Sequence, residues 1–449
     1  MLQKYINRYK TDIIETFKLS LPIIFGRLGA VLMGVMDSIM VGSVGYEELA
    51  AAGIANSVFI LVGIIPIGFL IVGSPMISTA FSKNNRAECV KIMKGSIQFA
   101  IILSIFFDVV MLVLAWNFQW FNQTAEVEGL AVPYLYLIIG STLPLMVFIA
   151  IEQFSDGLEN TKISMFFNIS GLFVNASINW VLIYGNWGFP ALGLMGAGIG
   201  TLIARCYMCV GIWLVVNNID AFKAFDLRIK LFKIDREIFV QIMKNGIPSG
   251  MQFFFEVSAF SLSAIMIGWL GTIQLAAHNV AISLASVTYM LSTGFATGAS
   301  IRVGAAFGAK DHIGVMNAGK SALILVVFLM SVSCVLFIVF SNFFVGLYTS
   351  EPKVIEMASG LLIIAGLFQL GDGIQVVSIR SLLGMNDVNV PTMITLGAYW
   401  VIGIPIGSIL CFYFNYGVYG MWIGLTLGLT LSAILLTVRF LSRVNKEIH

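Results

Sequence analysis

Apolar residues fill this chain in long runs, and short clusters of charged and turn-forming residues separate them. Read between those clusters, the pattern predicts twelve helices, near 14–41, 48–80, 93–116, 129–151, 163–184, 194–217, 238–268, 274–302, 318–345, 356–380, 392–414 and 418–440. A helix needs about 20 apolar residues to cross the hydrocarbon of a bilayer. Several segments are longer than that, which predicts tilt or extension into water. The expectation is an all-α membrane protein of twelve transmembrane helices.

Composition supports this reading. Of the 449 residues 59% are hydrophobic and only 11% charged, with a mean hydropathy of +0.95. A soluble domain carries roughly 25% charged residues, because its surface faces water. Here lipid must solvate much of the surface. A net charge of +2 gives no reason to expect nucleic acid as a partner. Cys206 and Cys209 form a C-x-x-C motif. They lie in an apolar segment with no second cysteine or histidine pair nearby, so they read as packing residues rather than a metal or redox site. The first 18 residues are polar and basic, without a small-residue cleavage site. The apolar run after them is too long for a signal peptide and is expected to stay as the first span.

Lysine and arginine set the expected orientation. Alternate loops hold Lys4, Arg8 and Lys10; Lys83, Arg86 and Lys91; Lys223, Arg228, Lys230, Lys233 and Arg236; Lys310; and Arg443 and Lys446. The opposite loops contain none except Lys353. The positive-inside rule then places both termini in the cytoplasm, which an even number of spans also requires. The expected location is an inner (plasma) membrane, and the expected state is a monomer.

The second half of the chain repeats the first. Pro22 aligns with Pro248, an offset of 248 − 22 = 226, and the register persists: Met40-Val41-Gly42 falls on Met266-Ile267-Gly268, Leu49-Ala50-Ala51 on Leu275-Ala276-Ala277, and Gly68-Phe69 on Gly294-Phe295. Near the end of each half Gly193-x-x-Gly196-x-x-x-Gly200 matches Gly417-x-x-Gly420-x-x-x-Gly424, at an offset of 224. Six spans per period return the chain to the same side, so the repeats are parallel, related by a pseudo-two-fold axis along the membrane normal. The expected units are an N-lobe over 1–219, a basic linker over 220–237 and a C-lobe over 238–449. A cleft between two such lobes, opened alternately by rocking, is the simplest route to transport.

These residues resemble the multidrug and toxic-compound extrusion (MATE) family, and its NorM branch in particular. The likeness rests on the pattern from Pro22 to Asp37, on Gly42-x-x-Gly45-x-x-x-Leu49-Ala50-Ala51, on the paired glycine motifs, and on segments starting at Gly157 and Gly384. It implies a secondary exporter of drugs or metabolites, driven by inward flow of sodium or protons.

Ionisable residues at mid-membrane are costly and therefore informative. Glu256, inside Phe253-Phe254-Phe255-Glu256, stands mid-way along the seventh span, and Asp372 mid-way along the tenth. Two carboxylates can offer hard oxygen ligands to a small cation or share a proton; otherwise they form a structural ion pair, with Arg380 as partner to Asp372. The family resemblance implies that Glu256 and Asp372 bind the coupling cation, with Tyr289 of the eighth span nearby, and favours sodium there. Asp37 of the first span, Asn175 and Asn179 at i, i+4 of the fifth, and Thr201 of the sixth match a second, N-lobe site for a cation or proton. The plainer reading of the asparagines is packing by interhelical hydrogen bonds.

Under the repeat, Glu256 falls on Ala30 and Asp37 on Ser263. The lobes therefore do not carry equivalent acids. Positions 30 and 37 are two helical turns apart, roughly 10 Å, so the two sites should differ in depth. Phe253 and Met251 are expected to line an adaptable cavity for flat, apolar cations. Arg27 and Arg205 read as structural counter-charges, His278 as an interface residue, and Asp108 has no evident partner. The expected function is export of cationic, amphipathic organic compounds in exchange for sodium or protons by alternating access, with no other cofactor and lipid as the surrounding partner. The rival reading, a membrane-embedded enzyme, would need a nucleophile–base pair, a metal cluster or a glycine-rich phosphate loop, and the sequence offers none in suitable context. A lipid-linked precursor flippase of the same superfold would be expected to show a strongly basic cavity.

Overall fold

The computed structural model describes residues 2–219, 222–223, 225 and 235–448, with side chains from residue 9 to 446 in the terminal helices. Most of the expected linker, including Arg228, Lys230 and Lys233, lies outside the described residues. Among the described residues, twelve helices are long and apolar enough to cross a membrane. In chain order they are α1 Tyr9–Gly42, α2 Tyr46–Ser82, α3 Arg86–Trp116, α4 Ala125–Gly157, α5 Thr161–Tyr184, α6 Leu194–Asn218, α7 Arg236–Gly268, α8 Thr272–Gly308, α9 His312–Val339, α10 Pro352–Gly384, α11 Asn389–Tyr413 and α12 Gly417–Lys446. Each contains one of the predicted segments, with two overruns. The segment 318–345 outruns α9, because the helix ends at Val339 and a short helix, Ser341–Gly346, follows. The segment 392–414 outruns α11 by one residue.

Local chemistry explains the helix limits. Asn85 caps α3: its Oδ1 accepts from Glu88 N–H at 3.1 Å while its Nδ2 donates to Glu88 Oε2 at 2.8 Å, which satisfies groups the first turn leaves open. In the second half Asp311 caps α9 in the same way, accepting from Gly314 N–H at 2.9 Å. Each cap follows a left-handed residue, Asn84 (φ 56°) and Lys310 (φ 57°). Both pairs sit 226 residues apart, so the repeat extends to backbone conformation. Outward-facing rings such as Phe106 (67% exposed) and Phe328 (69%) would be costly in water; they suit hydrocarbon.

The helices sort into two compact units, Phe25–Gly250 and Met1–Ile24 with Met251–His449. The expected lobes followed whole spans, whereas these units divide α1 and α7 at mid-length, each two residues beyond a helix-internal proline, Pro22 or Pro248. Specific contacts account for the division. In the C-terminal unit the start of α1 is held by Arg302 of α8, whose Nη2 meets Asp12 Oδ1 at 2.8 Å and Glu15 Oε2 at 2.7 Å. Asn317 Nδ2 of α9 adds a hydrogen bond to Asp12 Oδ2 at 2.9 Å. In the N-terminal unit the start of α7 is tied to α3 by Lys91 Nζ and Asp235 Oδ2 at 2.9 Å. Gly246 and Gly250 let its backbone lie against Phe69.

Within each unit the glycine motifs bring backbones together. A Cβ on Gly196 of α6 would stand 2.7 Å from the Leu182 carbonyl carbon of α5, and one on Gly420 of α12 would stand 2.7 Å from Leu410 of α11. Such close approach between membrane helices needs small residues at the crossing. Gly420→Val should therefore destabilise by about 1–3 kcal/mol through overpacking, read as a lowered unfolding midpoint of the detergent-solubilised protein. Gly53→Ala, where a Cβ would meet nothing within 4 Å, should leave that midpoint unchanged to within about 1 kcal/mol.

Candidate functional site

In the N-terminal unit four side chains from three helices form one hydrogen-bonded cluster. Asn179 Nδ2 donates to Asp37 Oδ1 at 2.5 Å and lies 3.3 Å from Asn175 Oδ1. Thr201 Oγ1 donates to Asp37 Oδ2 at 3.2 Å, and Asn175 Nδ2 reaches Thr201 Oγ1 at 3.5 Å. The i, i+4 spacing on α5 puts both amides on the face that meets α1 and α6. Asn175 and Asn179 are fully buried. The Asn179 Oδ1 is buried without a hydrogen-bond partner among the described residues, an acceptor available to a cation or a proton donor. Gly200 makes room for this amide, because a Cβ there would collide with Asn179 Oδ1. Arg205 of α6 lies within electrostatic range of Asp37. Its Nη1 donates to Ser141 Oγ at 2.6 Å, and its guanidinium stands 5.1 Å over the Phe59 ring.

The C-terminal unit holds a different set. Glu256 of α7 and Asp372 of α10 are both buried, at 6% exposure each, and interact electrostatically. Tyr289 of α8 is half-buried. All three lie within electrostatic range of a fourth group, Tyr399 of α11. Arg380 acts electrostatically on Glu256 and places its guanidinium 5.3 Å over the Phe253 ring. Phe253 is thus engaged by a cation of its own chain, and Met251 is half-buried beside it. Gln369, one turn before Asp372, is buried with neither amide atom partnered among the described residues. Among those residues no three or more of His, Cys, Asp and Glu group as metal ligands; the two carboxylates are hard oxygen donors.

The MatE family profile matches twice, over residues 22–181 and 248–409, most of the chain. The chain belongs to the MatE family. The two matches begin 226 residues apart and end 228 apart, consistent with the repeat in the sequence. Among curated relatives, "Probable multidrug resistance protein NorM" of Rhizobium meliloti (strain 1021) is 30% identical, the alignment covering 97% of this chain and 94% of that one. "Multidrug resistance protein NorM" of Aliivibrio fischeri (strain ATCC 700601 / ES114) is 29% identical, covering 99% and 98%. Among solved structures, the eukaryotic MATE transporter AtDTX14 superposes with a TM-score of 0.89 at 18% identity, covering 98% of each chain. An outward-facing multidrug resistance MATE family transporter superposes at 0.88 and 19% identity, covering 98% of this chain and 96% of that one. The MatE chain is accordingly an all-α, multi-pass membrane protein with the MATE transporter fold.

Two features of this MatE chain escape a reading of its sequence. Glu152 and Asp156, at i, i+4 on α4, are buried together: Asn168 Nδ2 donates to Glu152 Oε1 at 2.8 Å and Ser164 Oγ to Asp156 Oδ1 at 2.7 Å. Arg27 acts electrostatically on Asp156. The predicted fourth segment stops at 151, which assigns both acids to its watery end; their spacing, matched by Ser164 and Asn168 on α5, was the available signal. Tyr399 is the second. His278 accepts a hydrogen bond from Trp422 Nε1 at 3.1 Å, an interface role. Asp108 lies beside Thr142, with its buried Oδ1 unpartnered among the described residues.

If Gly200 serves to seat Asn179, Gly200→Ala and Asn179→Ala should each lower stability by about 1–3 kcal/mol. The double variant should lose clearly less than their sum, since contacting residues are not additive. Unfolding midpoints of the four proteins in detergent check this; simple additivity removes the link.

Proposed function

We propose that this chain is a secondary active multidrug efflux antiporter, exporting cationic, amphipathic organic compounds in exchange for sodium ions or protons by alternating access. The observation that carries the reading is the buried pair Glu256 and Asp372 in one electrostatic environment, within a chain whose relatives bear multidrug resistance names. Intramembrane acids are expensive to bury and generally mark an ion path. With Tyr289 close by, the pair favours sodium as coupling ion in the C-terminal unit, and the Asp37 cluster serves as a second cation or proton site. Lysine and arginine distribution supports cytoplasmic termini and an inner membrane location, and the protein is taken to act as a monomer.

The energetics constrain the exchange. One sodium ion traded for a monovalent organic cation moves no net charge, so only the concentration gradient drives it, worth about 1.4 kcal/mol per tenfold ratio. A second ion engages the membrane potential, about 2.3 kcal/mol per charge per 100 mV. Two separate acidic sites provide for that second ion.

The test is efflux of a fluorescent aromatic monocation from reconstituted vesicles under an imposed sodium or proton gradient. Glu256→Gln and Asp372→Asn should each reduce gradient-driven efflux by at least roughly tenfold, the scale of one lost charged ligand. Unchanged efflux in both variants rejects coupling in the C-terminal unit. Sodium-independent efflux that disappears in Asp37→Asn transfers the coupling to the N-terminal unit and to protons.

A further inference from the structure

The internal repeat exposes what α11 does that α5 does not. Gly196 meets Leu182 where Gly420 meets Leu410, so the end of α5 corresponds to the end of α11 at an offset of 228. At the start of the two helices the left-handed residues Glu159 and Asn386 correspond at 227. One residue has therefore been added within α11. α11 carries two π-helical stretches, Gly397–Gly403 and Ile409–Tyr413, of which only the first lies wholly between these matched points, whereas α5 is a continuous α-helix. π-turns of this kind are often found at functional sites.

At the offset of 228, Asn175 and Asn179 correspond to Gly403 and Gly407, on which Gly424 packs its backbone. The C-terminal unit thus has a dry glycine crossing where the N-terminal unit has two amides. Its polar contribution from α11 stands one turn earlier, at Tyr399, on the π-helical stretch. Glu256 is displaced in the same direction along α7, seven residues before Ser263, the counterpart of Asp37. The neighbouring Trp400 donates its Nε1–H to the Phe255 carbonyl at 3.0 Å, tying α11 to the residue before Glu256. Acid and phenol have shifted together.

The Tyr399 hydroxyl is fully buried and reaches both amide atoms of Gln375 on α10, 3.1 Å from Nε2 and 3.3 Å from Oε1. A phenol has one proton and two lone pairs, so it can give the proton to Oε1 or turn it elsewhere while Nε2 donates to its oxygen. Donating to Oε1 leaves the phenol lone pairs free; accepting from Nε2 leaves its proton free. Turning one hydroxyl exchanges the two, with no movement of backbone.

We propose that Tyr399 is a further residue of the coupling-cation site. Its oxygen ligates the cation held by Glu256 and Asp372 while Gln375 accepts its proton, and its proton turns to a carboxylate oxygen when the cation leaves. Gln375 is then a positioning residue that lets one group serve both states. This rests on the coupling reading above and names the α11 ligand of that site.

The test uses Tyr399→Phe, which keeps the ring packed edge-on to Phe260 at 5.8 Å and deletes only the hydroxyl. In vesicles, the half-saturating sodium concentration at fixed pH, and the half-saturating proton concentration without sodium, are measured for the wild type and variants. For whichever ion drives efflux, Tyr399→Phe should raise half-saturation on the order of tenfold, with the maximal rate within about twofold of wild type. Equilibrium binding of radioactive sodium to the purified protein, where sodium is the driver, should weaken by the same factor. Gln375→Leu should show the same rise, and the double variant no further rise, because both remove one interaction. Gln375→Leu also supplies the answer from a second helix if Tyr399→Phe does not fold. A wild-type half-saturation in Tyr399→Phe, with cation dependence lost in Glu256→Gln, overturns the role of Tyr399 alone. Efflux by the wild type that depends on neither cation overturns the coupling site and the proposal together.

Discussion

Hydrocarbon offers no partner to a polar group, and that one condition organises this chain. Backbone amides must pair within each segment, so every span is a helix. Side-chain amides, hydroxyls and charges must find one another instead of water. Asp37 collects Asn179 and Thr201, Arg205 collects Ser141 and the face of Phe59, and Glu152 collects Asn168. Where a carboxylate such as Asp372 has chiefly another carboxylate as its electrostatic neighbour, the same condition calls for a cation or a proton. The candidate coupling site is thus a place where two buried acids act on each other.

Glycine controls where polar groups can gather. Between α5 and α6, Gly200 removes a side chain so that the Asn179 amide fits against the crossing. Between α11 and α12, glycines stand on both helices, and the backbones meet without any side chain between them. An otherwise shared crossing is polar in one unit and dry in the other, through the identity of two residues on one helix. The shared glycines preserve the architecture of the repeat while residues 175, 179, 403 and 407 decide its chemistry.

The twelve spans were legible in the sequence because length and hydropathy depend on composition alone, and the prolines and glycines in register exposed the repeat. The division of α1 and α7 between compact units was not legible. It depends on Arg302 reaching Asp12 across nearly three hundred residues, and no local pattern encodes that pairing. The acids on α1, α7 and α10 stood out because each interrupts an apolar run. Glu152 and Asp156 did not, because they stand near a span's end, where charge is ordinary. Tyr399 was hidden for a different reason. In Gly397-Ala398-Tyr399-Trp400-Val401 it reads as one more membrane aromatic, and only the added residue in α11 and the Gln375 contact set it apart.

Two copies of one six-helix plan have therefore been given unequal polar interiors. The N-terminal cluster is compact: one carboxylate is solvated by two amides and a hydroxyl, and a single buried oxygen is left over. The C-terminal cluster has two carboxylates, the amides of Gln369 and Gln375, and a phenol whose one proton can be turned away from them. A compact, well-solvated carboxylate changes its environment little when an ion arrives. A pair of acids that repel each other changes it much, because a cation turns repulsion into shared attraction, and the strength of that change sets how far an ion can bias a conformational equilibrium. Under the proposed coupling, the larger difference between ion-bound and ion-free energies falls to the cluster around Glu256, Asp372 and Tyr399. On that reading, physical leverage over a two-state motion belongs to the unit in which two buried acids act on each other.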